Sequence, residues 1–346
     1  MTTEVAIIGD RFMLPDMFED ALIEACDDKV SCRKLQQPWP DAPMEHGYAA
    51  PGMDGLKEYM GSADEVIAHI GGAPVLVTHL APLSRTMFEA MPRLKLVAVS
   101  RGGPVNIDMA AARDHGVTVV NTPGRNASAV AEFTIGAILA ETRNITRGHD
   151  ALRQGDYRGD LYRADVAGDE LADMTVGVIG YGNVGTKVVK LLRAFGTKVL
   201  VCDPYVQLDP VDAKDGVEMV SLDRLLAASD IVTLHPRVTE ETRQMMNTDT
   251  LRAMKPGSTL VNTARGPLMD YDALFDVLSD GHLRGAMLET FSIEPTPPDW
   301  PLLNLPNVTL TPHIAGASLK TVRIATTKAA EEVRRWLAGE PPLNPC

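Results

Sequence analysis

Short apolar runs alternate with helical patterns along the whole chain, and they fall into two series. In the first series, helices are predicted near residues 64–70, 86–91 and 107–115. The buried strands of this series are predicted at residues 5–8, 75–78, 96–100 and 117–120. Such alternation is typical of βαβ units and a parallel sheet. Residues 36–55, which are rich in proline and glycine, are predicted to form a loop.

The second series follows a long helical pattern at about residues 127–147 and a polar, Gly/Asp-rich arm at 154–173. Its strands are predicted at residues 176–179, 198–202, 231–234, 259–262, 285–288 and 308–310. Six strands match one complete doubly wound dinucleotide-binding fold. A last helix is predicted at about residues 319–337. The pattern therefore predicts an α/β protein with two parallel-sheet domains and a cleft between them.

Length and charge restrict the class of protein and its partners. The chain has 346 residues, which is more than one core usually holds, so two domains are expected. Its 45% hydrophobic and 23% charged residues are ordinary for a soluble globular protein. The net charge of −13 and the absence of a Lys/Arg run argue against nucleic acid as a partner. A small anionic substrate stays possible, because a few arginines can reverse the field locally.

Cysteine usage and the N-terminal sequence point to a reducing compartment. The four cysteines form no C-x-x-C pair, so they indicate incidental thiols and no metal site. The first residues lack the basic and apolar regions of a signal peptide, and no uncharged apolar run reaches membrane-spanning length. The expected location is cytoplasmic, without membrane attachment.

A glycine-rich motif indicates the cofactor. Gly180-Tyr181-Gly182-Asn183-Val184-Gly185 reads G-x-G-x-x-G, directly after an apolar strand and before a helical run at 187–195. In this context the glycines permit a tight turn, close approach of a pyrophosphate and close packing of helix on strand. The helix N-terminus would offer free N–H groups to the phosphates.

An acidic residue after the next strand favours NAD over NADP. Asp203, followed by Pro204, lies 18 residues after Gly185, where a carboxylate can bind the adenosine ribose hydroxyls. An acid there would repel the 2′-phosphate of NADP. The alternative is a tight turn followed by a capping aspartate, which the agreement of strand, glycines, helix and acid disfavours.

Three ionisable residues follow late strands of the second series. Arg265 comes after the strand at 259–262, Glu294 after that at 285–288, and His313 after that at 308–310. Open α/β sheets bind ligands at the carboxyl ends of their strands. A histidine can take the hydroxyl proton as hydride leaves carbon, a carboxylate can orient it, and an arginine can hold and polarise the substrate. Each could singly be a surface charge or a turn residue, but a shared sheet edge favours a joint catalytic role.

Several ordered motifs together resemble the D-isomer-specific 2-hydroxyacid dehydrogenase family, which includes phosphoglycerate, hydroxypyruvate and D-lactate dehydrogenases. The resemblance is good over about residues 96–318 and is only one of pattern before that. The motifs that carry it are residues 120–126, 129–132, 176–185, 194–196, 203–205, 262–266, 294–295 and 311–318.

The resemblance implies an NAD-dependent enzyme acting on a small 2-hydroxy or 2-keto acid. It implies that Arg265 binds and polarises the substrate, that His313 is the acid/base and that Glu294 is its partner. It also implies a flavodoxin-like substrate domain at 1–123 and 319–346, a Rossmann-type NAD domain at 124–318, and a homodimer built by the helix from 127 and the arm. Substrate contacts are expected from Ser100, Arg101, Gly102, Gly103, Arg265 and His313. Cofactor contacts are expected from residues 180–185, Asp203, Pro204, His235, Pro236, Arg237, Thr239, Thr263, Ala264, Arg265, Glu289, His313 and Gly316.

The chain departs from the family at three places. Glu289 stands where the family commonly has an aspartate that contacts the nicotinamide carboxamide. Arg237 replaces the usual proline of a His-x-Pro-x-Thr motif. The loop at 100–108 is shorter than the common form and carries Arg101. One hypothesis is that Arg101, with Arg237, recognises a second anionic or polyhydroxy group on the substrate; the alternative is a solvent-facing charge.

Two other functions are compatible with the same fold. A formate dehydrogenase is disfavoured, because that family pairs its histidine with glutamine and Glu294 is an acid. A non-catalytic NAD-sensing binding protein can retain the three ionisable residues. The sequence leaves open which 2-hydroxy acid is used and in which direction the reaction runs.

Overall fold

The protein is described from a computed structural model, which covers residues 2–39 and 52–346. Residues 40–51 of the predicted Pro/Gly-rich loop lie outside this description. The chain divides into two compact units, the first formed by Met1–Asn126 with Ala317–Cys346 and the second by Ala127–Gly316. The chain passes from the first unit to the second and returns at its C-terminal end.

Twelve strands and twelve α-helices are defined in the described residues. The strands are β1 (Thr3–Gly9), β2 (Val30–Gln36), β3 (Val75–Thr78), β4 (Leu96–Val99), β5 (Thr118–Val120), β6 (Thr175–Ile179), β7 (Lys198–Cys202), β8 (Glu218–Met219), β9 (Ile231–Leu234), β10 (Thr259–Asn262), β11 (Gly285–Leu288) and β12 (Val308–Leu310). The helices are α1 (Pro15–Cys26), α2 (Ala63–Ile70), α3 (Arg85–Ala90), α4 (Met109–Asp114), α5 (Ala127–Thr142), α6 (Ile145–Arg153), α7 (Gly185–Ala194), α8 (Pro210–Lys214), α9 (Leu222–Ala228), α10 (Thr248–Ala253), α11 (Tyr271–Ser279) and α12 (Leu319–Leu337).

The first unit is built on a parallel sheet in the order β2-β1-β3-β4-β5. This is the flavodoxin-like order, as expected. Strands β3 and β4 are wholly buried apolar runs, because helices cover both faces of a parallel sheet. Helix α12 returns to this unit, and Val322, Ala325 and Val333 are buried in one core cluster with residues of β1 and α1.

The second unit is built on a seven-stranded parallel sheet in the order β12-β11-β10-β9-β6-β7-β8. The six strands predicted from the sequence are all present, but the prediction of a six-stranded sheet is wrong by one. The additional strand β8 has two residues, pairs with β7 at the edge and lacks an apolar run of its own. It occupies the third position of the dinucleotide-binding order, and β12 extends the sheet at the other end.

The predicted helix at about 127–147 is in fact two helices, which is a second correction. Helix α5 ends at Thr142, and α6 begins after Asn144, whose φ of 54° lies in the left-handed region. Asparagine tolerates this conformation better than most residues, so it can terminate one helix and start another in a new direction. The arm that follows contains two short 3₁₀ turns, Gly159–Tyr162 and Leu171–Asp173.

Within the described residues, every helix is too short or too polar to cross a membrane.

Candidate active site

The glycine-rich loop joins β6 to α7, and two of its glycines are required by the backbone itself. Gly180 has a φ of 91°, and a Cβ there would lie 2.7 Å from the backbone nitrogen of Pro236. A Cβ on Gly185 would lie 2.0 Å from the carbonyl oxygen of Gly180. By contrast, a Cβ on Gly182 would meet nothing within 4 Å. The loop therefore keeps open space beside Gly182, as a pyrophosphate bound against backbone N–H groups requires.

Asp203 follows β7 and holds the glycine loop directly. Its Oδ2 accepts a hydrogen bond from the backbone N–H of Tyr181 at 2.8 Å, and its Oδ1 accepts one from Tyr205 at 3.0 Å. Carboxylate oxygens have further lone pairs, so the same group can still accept ribose hydroxyls. Pro204 is exposed beside it, as is Asn183 in the loop, whereas Val184 is half-buried.

Tyr181 contributes its backbone to the loop while its side chain points into the unit. The ring is buried, and the hydroxyl donates to Asp212 on α8. Burial and this hydrogen bond raise the pKa of Tyr181 to about 12. Asp212 is also paired with Arg193 near the end of α7. The tyrosine therefore fastens the loop to two helices and does not offer a side chain to a ligand.

His235 follows β9, next to β6 in the sheet. Its Nε2 lies 3.0 Å from Thr233 Oγ1, and its Nδ1 is inaccessible to solvent and without a partner among the described residues. Burial lowers the pKa of His235 to about 3, so the ring is neutral at physiological pH. The backbone of His235 lies against Gly180, and a buried side-chain nitrogen without a partner fits a ligand that supplies the missing hydrogen bond.

Arg237 and Thr239 lie farther along the same segment and are exposed. Thr242 Oγ1 donates to the Arg237 carbonyl oxygen at 2.6 Å and accepts from the Thr239 N–H at 2.8 Å. The segment is a locally bonded turn, and no ion pair to the Arg237 guanidinium is observed among the described residues.

The segment after β10 presents Arg265. The Asn262 side chain accepts from the Ala264 N–H at 3.0 Å and donates to the Arg265 carbonyl at 3.1 Å, which fixes the turn. Thr263 is buried and shares a hydrogen bond of 2.7 Å with Thr134 on α5. Arg265 itself is exposed, with Nη1 donating to the Ala264 carbonyl at 2.7 Å. Its guanidinium therefore retains donors for a ligand.

A close backbone contact brings the Arg265 turn against the loop that carries Glu294. A Cβ on Gly266 would lie 1.9 Å from the backbone carbon of Phe291, so only glycine fits between the two loops. Glu294 Oε1 accepts a hydrogen bond from the Phe291 N–H at 2.7 Å. The carboxylate is thereby held in one orientation, with its other oxygen turned towards His313.

Glu294 and His313 form the central pair of the site. Glu294 Oε2 lies 2.8 Å from His313 Nδ1. The histidine side chain is 41% exposed, whereas that of Glu294 is 12% exposed. An ionised carboxylate can only accept, so Nδ1 carries a proton and donates it to Glu294.

The electrostatics of the pair favour a protonated histidine. Burial alone would lower the pKa of His313, but the hydrogen bond and charge of Glu294, with the charge of Glu289, raise it above its ordinary value. The charge of Arg265 acts in the lowering direction. The side chains of Glu294 and Arg265 are thus close enough to His313 to affect its ionisation.

Glu289 holds the loop that carries His313. Its Oε1 accepts from the Ala315 N–H at 2.7 Å, and its backbone carbonyl accepts from the His313 N–H at 3.0 Å. The side chain is buried, and burial raises the pKa of Glu289 to about 7. Glu289 departs from the family pattern, and at least one of its carboxyl oxygens is hydrogen-bonded within the unit. Gly316, at the end of the loop, is half-buried.

The expected substrate loop belongs to the first unit and follows β4. Ser100 is buried, with an Oγ that has no partner among the described residues. Gly102 and Gly103 are exposed. Arg101 donates to the Glu58 carbonyl at 3.0 Å and forms an ion pair with the Glu58 carboxylate. Arg101 is thus engaged within the unit, in contrast to the open guanidinium that the distal-anion hypothesis assumed.

The sequence did not single out a second set of polar residues, Asp10, His79 and Arg125, at the ends of strands in the first unit. The same rule that pointed to Arg265 could have found Asp10 and His79, since each directly follows an apolar strand. The contacts of Asp212 have no such signal, because Tyr181 and Arg193, its partners, are distant in sequence.

Known proteins include clear relatives of this chain. The family model for the NAD binding domain of D-isomer specific 2-hydroxyacid dehydrogenases matches residues 135–315. A glyoxylate reductase of Thermofilum pendens is 36% identical over 287 residues, which are 83% of this chain and 85% of that protein. A D-3-phosphoglycerate dehydrogenase of Methanocaldococcus jannaschii is 36% identical over 80% of this chain, but over only 52% of its own length.

Among solved structures, that of D-2-hydroxyisocaproate dehydrogenase superposes with a TM-score of 0.82 at 25% identity and covers 99% of both chains. The glycine loop, Asp203 and the orphaned His235 nitrogen fit the NAD that the family model describes. The chain therefore belongs to the NAD-dependent D-isomer-specific 2-hydroxyacid dehydrogenase family.

Proposed function

We propose that this chain interconverts a small D-2-hydroxy acid and the corresponding 2-keto acid, with His313 as the acid/base. The observation that carries the proposal is the 2.8 Å contact between Glu294 Oε2 and His313 Nδ1. It orients the imidazole with its Nδ1 proton towards Glu294 and raises the pKa of the ring, whose side chain is 41% exposed. These are the properties that a group exchanging a proton with a substrate oxygen needs.

The cofactor would be held by the glycine loop, by Asp203 and by the neutral His235. Bound as NADH, the cofactor would supply the hydride of the reduction; bound as NAD⁺, it would accept the hydride of the oxidation. Backbone N–H groups near Gly182 would face the pyrophosphate, and Asp203 would accept the ribose hydroxyls. The remaining expected cofactor contacts, from Arg237, Thr239, Thr263, Ala264, Glu289 and Gly316, belong to the same proposal.

His313 handles the proton of the substrate oxygen. In reduction, the Nε2 proton moves to the keto oxygen as the carbonyl carbon gains a hydride, and the imidazole becomes neutral. In oxidation, neutral His313 takes the proton of the hydroxyl as hydride leaves the same carbon. The Glu294 carboxylate stabilises the imidazolium in both directions, because it is an ionised acceptor held by the Phe291 N–H.

Arg265 would bind the substrate carboxylate and polarise the reacting oxygen. The residue is exposed, and its guanidinium donates one hydrogen bond to the Ala264 carbonyl, so the other donors are available. A planar fork of donors matches a carboxylate bidentately and favours the charge that develops on the oxygen. The backbone of the loop from Ser100 to Gly103 is proposed as the second carboxylate contact.

A panel of 2-keto acids tests the function. The wild-type chain is expected to consume NADH with at least one of glyoxylate, hydroxypyruvate, pyruvate or 3-phosphohydroxypyruvate. Replacement His313→Gln should lower kcat by about 10²- to 10⁴-fold, because general acid–base assistance is lost. NADH binding, followed by fluorescence, should stay unchanged.

His282→Gln, in the turn before β11 and away from the three side chains, serves as the matched control and should keep wild-type turnover. Tight NADH binding without turnover of any 2-keto acid would contradict the proposal and favour an NAD-sensing binding protein. A homodimer and a cytoplasmic location remain further predictions for this chain.

A further inference from the structure

Four polar side chains collect at the carboxyl ends of strands in the first unit, apart from Arg265, Glu294 and His313. Asp10 directly follows β1, His79 directly follows β3, Arg101 follows β4, and Arg125 follows β5 by a short turn. The carboxyl ends of parallel strands are where open α/β sheets bind ligands. The contacts among these four side chains decide which of them has hydrogen-bonding capacity left.

The charge of Asp10 is fully engaged inside the unit. Its Oδ2 lies 2.6 Å from His79 Nδ1, and its Oδ1 accepts from the N–H groups of Phe12 and Met13, each at 2.8 Å. Burial, the largest effect, lowers the pKa of His79 although Asp10 opposes it, so the ring is neutral. With Nδ1–H donated to Asp10, the Nε2 of His79 is an acceptor.

Arg125 donates one hydrogen bond to that acceptor. Its Nη2 donates to His79 Nε2 at 3.4 Å, a long bond, and its Cζ lies 5.9 Å from the centre of the Phe12 ring. Its Nη1 is inaccessible to solvent and has no hydrogen-bond partner among the described residues. The side chain as a whole is only half-buried, so part of it faces solvent.

Arg125 remains a cation in this setting. Burial, followed by the charge of Arg101, lowers the pKa of Arg125 to about 10, and Asp10 partly offsets this. Partial burial of a charged guanidinium costs free energy when no carboxylate pairs with it. A bound acceptor would offset this cost. The imidazole of His79 separates it from Asp10, the carboxylate that would otherwise neutralise it directly.

Arg101, in contrast, already has its acceptor. The ion pair with the Glu58 carboxylate and the hydrogen bond to the Glu58 carbonyl satisfy both ends of its fork. A ligand anion at Arg101 would have to displace Glu58, whereas an anion at Arg125 displaces no carboxylate. The arginine free to recognise a ligand is therefore Arg125.

We propose that Arg125 forms an oxyanion subsite that takes the second anionic group of a 2-keto acid substrate, a carboxylate or a phosphate ester, with His79 and Asp10 as positioning residues. The assignment to a substrate rests on the proposed function. A planar guanidinium with donors that have no partner matches either oxyanion. The neutral His79 positions the guanidinium without neutralising its charge.

Matched substrate pairs test the subsite. Oxaloacetate is compared with 2-oxobutyrate, and 3-phosphohydroxypyruvate with hydroxypyruvate, so that each pair differs in the distal anion. Arg125→Gln should lower kcat/KM for the member with the distal anion in one pair by about 10- to 100-fold, the value of a hydrogen bond to a charged group. The members without a distal anion should change by less than about threefold. The pair that responds distinguishes carboxylate from phosphate, and equal losses on both members would overturn the proposal.

Arg113→Gln, an exposed arginine on α4, is the matched control and should leave all four substrates unaffected. Binding is also measured without turnover, by the Tm shift that malonate or inorganic phosphate produces. One of these anions should raise the Tm of the wild type and of Arg113→Gln but not of Arg125→Gln. No shift with either anion would overturn the subsite.

The same Tm measurements separate a ligand role from a structural one. Without ligand, Arg125→Gln should melt no lower than the wild type, because it removes an unpaired charge. A clearly lower Tm without ligand would identify Arg125 as a structural residue and overturn the proposal. If the wild type reduces no 2-keto acid but shows the Arg125-dependent Tm shift, the anion subsite stands and only its assignment to a substrate falls with the proposed function.

Discussion

His313 has an unusual backbone for its residue type. Its φ of 54° lies in the left-handed region, which non-glycine residues rarely adopt. The two hydrogen bonds to Glu289, from the His313 N–H and the Ala315 N–H, hold the loop in this conformation. Local strain of this kind persists only where surrounding structure imposes it, and it is concentrated at functional sites. Glu289 therefore serves the histidine through the backbone.

Removal of the Glu294 charge should shift the pH dependence of reduction. Reduction needs protonated His313, so a pKa raised by Glu294 extends activity to higher pH. In Glu294→Gln the imidazolium loses its partner, the pKa of His313 falls, and the alkaline limb of kcat/KM should move down by about one to two pH units. The measurement is the pH profile of NADH-dependent reduction of an active 2-keto acid.

The control for this experiment is Glu340→Gln, which removes an exposed carboxylate paired with Arg334 after α12. Its alkaline limb should match that of the wild type. An unmoved limb in Glu294→Gln would show that His313 does not set the pH dependence.

Among the elements, strands with continuous apolar runs were predictable and strands without them were not. The sequence located β3, β7, β9, β10, β11 and β12, since strands buried on both faces of a parallel sheet are mostly apolar runs. Strand β2 was missed because it is an edge strand with only half-buried and exposed positions. Two-residue β8 has no periodicity to detect. Both segments are strands because they pair with a neighbouring strand, and this pairing cannot be inferred from their own sequences.

The candidate site divides in a similar way. The rule that ligands bind at strand ends placed Arg265, Glu294 and His313 together, and the structure brings their loops into contact. The same sequence interpretation proposed Arg101, with Arg237, as an anion-binding arginine and did not consider Arg125. It could not foresee Glu58, 43 residues away in sequence, which pairs with Arg101. Whether a charge is available to a ligand depends on partners that folding supplies.

At the level of the β6–α7 loop, two glycine substitutions should separate folding from cofactor binding. Gly185→Ala places a methyl group 2.0 Å from the Gly180 carbonyl oxygen, so it should lower the free energy of unfolding by about 1–3 kcal/mol. Gly182→Ala meets nothing within 4 Å and should leave stability unchanged, while its methyl group occupies the space proposed for the pyrophosphate. It should weaken NADH binding by about tenfold or more.

Urea denaturation and NADH titration of the two variants give the comparison, each variant being the control for the other. If Gly182→Ala binds NADH as tightly as the wild type, the open space beside Gly182 does not receive the cofactor.

On the scale of the whole molecule, the arm after α5 exposes several large apolar side chains. Ile145 and Leu152 of α6 are 58% and 60% exposed, and they are seven residues apart, so they share one helix face. Tyr157 and Tyr162, which follow, are 86% and 95% exposed. Large exposed apolar residues gathered in one segment are typical of a protein–protein interface. This composition supports the expected homodimer.

A double substitution on α6 tests the dimer. The wild-type chain should sediment as a dimer of twice its 37.4 kDa, and Ile145→Glu with Leu152→Glu should yield monomers, because two charges per protomer would be buried in the interface. Ile23→Glu on α1 is the matched control: Ile23 is 55% exposed, so its substitution should leave the dimer intact. Unfolding should be monitored in parallel, since both α6 positions are exposed and should tolerate charge in a monomer. A double variant that still sediments as the dimer would place the subunit interface elsewhere on the molecule.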